Sequence, residues 1–155
     1  MLIRFESVGA EDEPARALLQ AMRDEIAELY DNLDLDSPKM PRAGPAELGP
    51  PGGDFVVGFD SDGAAVCCGG IKALPDGACE IKRLYVEPEL RGRGLARQLL
   101  EELERRAGGL GYSVVRLDTG PRQPHSETLF LSAGYSPIHN FNGNPMASFF
   151  GEKRI

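Results

Sequence analysis

Two glycines, Gly92 and Gly94, restrict what this chain can become more than any other feature. They stand between a strand-like run, Ile81-Lys82-Arg83-Leu84-Tyr85-Val86, and a leucine-periodic stretch that opens at Leu95. A short turn, Glu87-Pro88-Glu89-Leu90, separates the strand from the glycines. A helix starting here presents unpaired backbone N–H groups at its positive end. Glycines in front of it let a bulky anion approach that backbone closely. Arg91, Arg93 and Arg97 add positive potential at the same place. The segment therefore predicts a seat for a phosphate or diphosphate. It is not a P-loop, because no glycine-lysine-serine/threonine ending is present. It does not suit the dinucleotide fingerprint either: the third glycine position falls on Arg97, and five residues lie between Val86 and Gly92.

The remaining pattern predicts a mixed α/β domain. Leu2 to Val8 alternates like a strand, and Glu11-Asp12-Glu13-Pro14 reads as a helix entrance. Leu18, Met22, Ile26, Leu29 and Leu33 recur at helical spacing, predicting a helix from Pro14 to about Leu33. Prolines and glycines between Ser37 and Gly53 predict an irregular loop with at most one helical turn at Pro45 to Leu48. That loop either covers an acceptor site or merely connects elements. Asp54 to Phe59, Ala64 to Leu74 and Ala78 to Val86 predict an antiparallel meander. A helix follows from Arg93 to about Arg106, with Leu95, Leu99 and Leu103 inward, a Glu101–Arg105 pair outside and Gly108-Gly109 as its stop. Ser113 to Asp118 is a strand and His125 to Ala133 a helix, with last strands at Tyr135 to Ile138 and Ala147 to Lys153. There is no internal repeat, and one domain over residues 1–155 accounts for the chain.

Composition narrows the function classes. A net charge of −7 argues against general nucleic-acid binding and suits attraction of a cationic amine or plain solubility. No apolar run is long enough to span a membrane, and the N-terminus lacks the layout of a secretory signal, so the cytoplasm is the expected location. Cys67, Cys68 and Cys79, with only His125 and His139, form no metal-ligand pattern. The cysteines are expected to be reduced thiols serving as small hydrophobes.

The glycine segment resembles that of the GCN5-related N-acetyltransferase (GNAT) superfamily. Arg91-Gly92-Arg93-Gly94-Leu95-Ala96 meets its pattern Gln/Arg-x-x-Gly-x-Gly/Ala, and Leu129-Phe130-Leu131-Ser132-Ala133-Gly134-Tyr135 meets a second landmark. The resemblance implies a splayed, mostly antiparallel mixed sheet flanked by helices, opened between strands 79–86 and 113–119. It implies acetyl-CoA as co-substrate, with no metal. Pantetheine would pair with backbone near Leu84, Tyr85 and Val86. The diphosphate would rest on the segment Arg91, Gly92, Arg93, Gly94, Leu95 and Ala96. Gln123 stands where relatives often have an asparagine that bonds pantetheine. The implied reaction moves an acetyl group to a primary amine of a small molecule, by direct attack through a tetrahedral oxyanion. Larger acyl groups, a protein lysine or N-terminus as acceptor, and a non-catalytic acyl-CoA sensor are the alternatives. A second copy, as a homodimer, is admitted as a partner.

Such chemistry needs a base, an oxyanion donor and a proton for the departing thiolate. By the resemblance Glu80, eleven residues before Arg91, is the candidate base, and the Leu84 N–H is the oxyanion donor. The competing reading of Glu80 is an ion pair with Lys82 or Arg83 on an exposed strand face, since residues 80 and 82 share a face. Phe130 stands where many relatives carry the tyrosine that donates a proton. Tyr135, Tyr85 or water would have to replace it, and packing is the competing role for both tyrosines. Glu25, Tyr30, Arg83 and Asn142 in the Asn140–Asn144 loop are the candidate acceptor contacts. The asparagines equally suit turn geometry.

Overall fold

In the computed structural model, which describes all 155 residues, the elements follow in the order β1 (Arg4–Ser7), α1 (Ala15–Leu29), β2 (Asp54–Phe59), β3 (Ala65–Ala73), β4 (Cys79–Val86), α2 (Leu95–Gly109), β5 (Val114–Thr119), α3 (Pro124–Ser132), β6 (Ser136–Pro137) and β7 (Phe149–Arg154). A single 3-10 turn, Pro88–Leu90, links β4 to α2. The strands form one sheet in the order β1-β2-β3-β4-β5-β7-β6. Every pairing is antiparallel except β4 with β5. That parallel pairing has two rungs only, Cys79↔Val115 and Glu80↔Arg116. Beyond them β5 stays with β7 along its whole length, from Val114↔Arg154 to Thr119↔Phe149. The edge of β4 from Ile81 to Val86 is thereby left without a strand beside it, and the expected splay lies where the resemblance puts it.

Burial on both sheet faces explains the near-continuous apolar run of β2 and β3. On one face α2 buries Leu95, Leu99, Leu100, Leu103 and Ala107 against Ile81, Val115 and Leu117. On the other, α1 packs Ala15, Leu18 and Leu19 near Phe55, Val57, Cys68 and Tyr85. All three cysteines are free and buried. Burial raises the Cys67 thiol to about 11 and the Cys79 thiol to about 12, which keeps both protonated and inert.

A β-bulge interrupts β4. Cys68 pairs with Tyr85 and Gly70 with Lys82, so Arg83 and Leu84 together stand opposite Gly69. Arg83 takes a left-handed backbone, φ 61°. The surplus residue shifts the alternation by one. Glu80 and Lys82 lie on one face; past the bulge Leu84 and Val86 pack toward α2 while Tyr85 joins the α1 side.

The helix ends differ from the expectations. Asp31 and Asn32, at φ 55° and 68°, stop α1 four residues before Leu33, which still packs beside Ile26, Tyr30 and Leu35 and so mimics a further turn. α2 starts at Leu95 rather than Arg93, because Gly92 and Gly94 are both left-handed. It runs through Gly108-Gly109, and the positive φ that releases the chain belongs to Gly111. The outer ion pairs of α2 use Glu102, with Arg105 at 2.6 Å and Arg106 at 2.6 Å, in place of the expected Glu101–Arg105. Residues 37–53 hold no helix or strand, only turns such as Leu48 N–H to Gly44 O at 3.0 Å and Gly53 N–H to Gly49 O at 2.9 Å, and Leu48 anchors the loop in the core.

Candidate active site

The site begins at the N-terminus of α2. Gly92 and Gly94 sit at φ 80° and 81°, conformations that L side chains rarely adopt, and a Cβ at either would meet nothing within 4 Å. The glycines are there for backbone conformation, and the space in front of them is open. The first intrahelical donor is Gln98, bonding Gly94 O at 3.1 Å. The N–H groups of Leu95, Ala96 and Arg97 precede it and have no intrahelical acceptor. These residues fit a diphosphate.

The arginines that looked like one basic cluster have different tasks. Arg91 turns back: Nε donates to Val86 O at 2.9 Å and Nη2 to Glu25 Oε2 at 2.8 Å, and its guanidinium lies 5.5 Å from the Tyr85 ring centre. Glu25, an expected acceptor contact, is thus the partner of Arg91. Arg97 reaches Ser132 Oγ on α3. Arg93 is exposed beside the glycines.

Between β4 and β5 the splay opens into a cleft of about 780 Å³ including its mouth. Its lining comes from α1 (Met22, Ile26) and the residue that caps it (Tyr30), the following loop (Leu33, Leu35, Met40), β4 (Ile81 to Leu84), β5 (Asp118, Thr119), Gln123, Phe130 and Met146. Tyr30 ties the two sides together: its hydroxyl donates to Gln123 Oε1 at 3.1 Å and accepts from the Arg122 N–H at 3.1 Å. Burial raises the Tyr30 pKa, so the phenol stays protonated. Gln123 keeps its amide N–H groups for another partner. Arg122 turns to Leu29 O, at 2.6 Å, and to Asp31.

Behind the cleft lies Glu80, with no exposed surface. Its Oε2 accepts from Lys82 Nζ at 3.1 Å and from Asn142 Nδ2 at 2.8 Å, while Oε1 is buried without a partner. Asn142 Nδ2 also donates to Asp118 Oδ2 at 2.7 Å, and Asn144 Nδ2 donates to the same oxygen at 3.0 Å. Burial raises the pKa of Glu80; the Lys82 charge opposes this and the Asp118 charge adds to it. The ion pair with Lys82 therefore exists, but on a buried face: Lys82 is 7% exposed. The asparagine loop has the expected turn geometry, and Asn142 is not among the residues lining the cleft but bonds the carboxylate behind it. Asn140 Oδ1 accepts from the N–H groups of Asn142 and Gly143, shaping the turn, and Asn142 reaches Glu80.

Neither tyrosine after the strand faces Glu80 through open cleft. Tyr135 lies in the α2-side core, its hydroxyl on Glu104 Oε2 at 2.7 Å, with Phe130 between it and the cleft. Tyr85 is buried against α1. Asp118, Asn144 and Lys82 escaped the sequence reading as site residues. The one available signal was Asp118: a carboxylate closing an apolar strand on the parity that carries Glu80.

A seven-stranded sheet opened beside its one parallel pair, with an anion seat at the mouth of the gap, is the architecture of an N-acyltransferase. The model of the Acetyltransferase (GNAT) family matches residues 15–135, and the chain belongs to that family. An uncharacterised N-acetyltransferase of Schizosaccharomyces pombe is 36% identical over 101 residues, covering 64% of this chain and 62% of the relative. The chain thus spans less than two thirds of that relative's length. The N-alpha-acetyltransferase RimI of Mycobacterium tuberculosis is 37% identical over 136 residues, 83% of each chain. A GNAT acetyltransferase of Elizabethkingia anophelis, solved with acetyl-CoA bound, shares the fold at TM-score 0.68 and 16% identity, over 99% of this chain and 98% of that one. No helix is long and apolar enough to cross a membrane.

Proposed function

We propose that this protein transfers the acetyl group of acetyl-CoA to a primary amine of a small molecule. The observation that carries the reading is the unpaired edge of β4, Ile81 to Val86, leading into the free N–H groups at residues 95–97. An extended, amide-containing arm ending in a diphosphate suits that track, with backbone at Leu84 to Val86 along the arm and Gly92 to Ala96 under the diphosphate. The amide N–H groups of Gln123 suit the same arm. When bound, acetyl-CoA supplies an acetyl group activated as a thioester.

The chain's own residues supply the rest. Asn142 and Lys82 hold the Glu80 carboxylate in place, and Glu80, its pKa raised by burial, takes a proton from the acceptor ammonium through water and becomes the neutral acid. The Leu84 N–H, displaced from the ladder by the bulge, stabilises the charge developing on the carbonyl oxygen. The N–C bond forms first, the C–S bond breaks as the tetrahedral oxyanion collapses, and the second amine proton passes to sulfur by way of solvent. This reading gives Tyr135 a packing role. The name of the mycobacterial relative supports an α-amino group as the nucleophile. Three buried free cysteines support a reducing compartment such as the cytoplasm.

The test is thiol release from acetyl-CoA with a panel of amines, beside calorimetric titration of CoA. Tight binding with amine-dependent thiol release is expected. Binding with no release for any amine would assign the protein to acyl-CoA sensing, and absence of CoA binding at millimolar concentration would remove the reading altogether.

A further inference from the structure

Two cations line the cleft, Lys82 and Arg83, and only Lys82 has a hydrogen-bonded partner. The Arg83 side chain is 8% exposed, and its nearest carboxylate oxygen, Asp36 Oδ1, is 4.0 Å away. The other oxygen of Asp36 is committed to Arg23 Nε at 3.0 Å. A guanidinium carries five N–H donors and stays charged. The guanidinium nitrogens keep a narrow contact with solvent at the cleft, yet none is hydrogen-bonded within the protein, and holding a charge so nearly buried is costly. The chain nevertheless holds Arg83 there on a left-handed backbone at the centre of the bulge. The surrounding wall is apolar, built from Met22, Ile26, Leu33, Leu35, Met40 and Met146. The anion that lines the same cleft is Asp118.

We propose that Arg83 anchors the carboxylate of the acetyl acceptor, and that the acceptor is an α-amino acid with an apolar side chain. The carboxylate takes the guanidinium as a two-pronged acceptor. The ammonium group turns to Asp118, with Glu80 behind it reached through water, and the side chain lies against the methionine and leucine wall, whose flexible members adapt to its shape. An amine without a carboxylate leaves the guanidinium unpaired, which is how such a site discriminates. This inference rests on the acetyl-transfer reading for its chemistry but not for its binding.

The experiment is calorimetric titration of the CoA-loaded full-length protein with L-leucine, L-leucinamide, 3-methylbutylamine and a leucyl dipeptide, for wild type, Arg83→Gln and Arg83→Lys. Leucine is expected to bind at least about tenfold tighter than the two ligands lacking a carboxylate, and Arg83→Gln to erase that margin by weakening leucine alone. Arg83→Lys should keep part of it. Arg83→Gly, suited to the left-handed backbone, takes the place of Arg83→Gln if the latter does not fold. Equal affinity for leucine and leucinamide, unchanged leucine binding in Arg83→Gln, or preference for the dipeptide would overturn the anchor, the last in favour of a polypeptide N-terminus. Thiol release measured alongside separates the two readings. Carboxylate-dependent binding without release with any amine leaves the anchor standing and removes acetyl transfer. Release from amines regardless of their carboxylate does the reverse.

Discussion

Asn142 reaches across 62 residues of chain to donate its side-chain amide to Glu80 at 2.8 Å. The same nitrogen lies 2.7 Å from Asp118 Oδ2. One amide thus separates two carboxylates that would otherwise repel and drive each other toward protonation. The loop carrying Asn142 is held in shape by Asn140 and Asn144, so the contact is built into the turn.

Asn142→Ala should therefore raise the pKa of Glu80 further, since the lost hydrogen bond lowers it in the native protein. A base must be deprotonated to act, so the acidic limb of the kcat/KM profile should move to higher pH. Activity at neutral pH should fall by about tenfold, the scale of one hydrogen bond to a charged group. Lys82→Met should move the limb in the same direction and further, because the lysine charge has the larger effect on Glu80. A pH–rate series for the two variants measures this.

Glu80→Gln should lower turnover roughly 10²–10⁴-fold with an amine that is charged at neutral pH, and leave CoA affinity alone. It should also change the pH dependence of stability. Burial raises the folded pKa of Glu80 above its ordinary 4.5, so folding favours the protonated form. Its stabilising contribution is complete below 4.5 and is lost as pH rises through the folded value. Tm of Glu80→Gln relative to wild type should therefore increase as pH rises above 4.5, read by scanning calorimetry.

Gly94→Glu should abolish CoA binding, because its carboxylate would meet the diphosphate. Gly94→Ala is the control: its Cβ has open space within 4 Å, and the φ of 81° costs about 1–2 kcal/mol of stability without blocking the seat. Calorimetric CoA titration of both variants should separate charge from strain.

Tyr135→Phe should cost about 2 kcal/mol of stability, the hydroxyl's bond to the Glu104 carboxylate. Glu104 retains Lys153 Nζ at 2.9 Å, which limits the loss. Turnover should equal that of wild type; a large fall in kcat would restore Tyr135 as a proton donor.

The strand–turn–glycine–helix segment was legible in the sequence because its physics is local: a helix start, two left-handed glycines and the turn before them. The splay followed from the family resemblance. Glu80 could be named as a candidate, but its surroundings could not be read, since burial on that face is decided by α1 and the asparagine loop. Asp118 and Asn142 meet only through a contact spanning 24 residues, and Tyr30 meets Gln123 only across 93. Arg91 misled for a related reason: in sequence it adjoins the anion seat, but Val86 O and Glu25 capture its side chain. The bulge left no mark in the alternation, because Leu84, Tyr85 and Val86 are all apolar enough for either face.

That bulge makes β4 the shared partition of two chambers. On the α1 side, Lys82 and Arg83 decide which charges a visitor meets; beneath them, Leu84 and Val86 are packed into the layer that α2 holds shut. Lys82 and Arg83 take no part in the α2-side core, whereas Leu84 packs against it and also borders the cleft. A point change at 82 or 83 therefore remodels one chamber while the floor under the other stays in place, and a single strand can diversify on one side without losing its footing on the other.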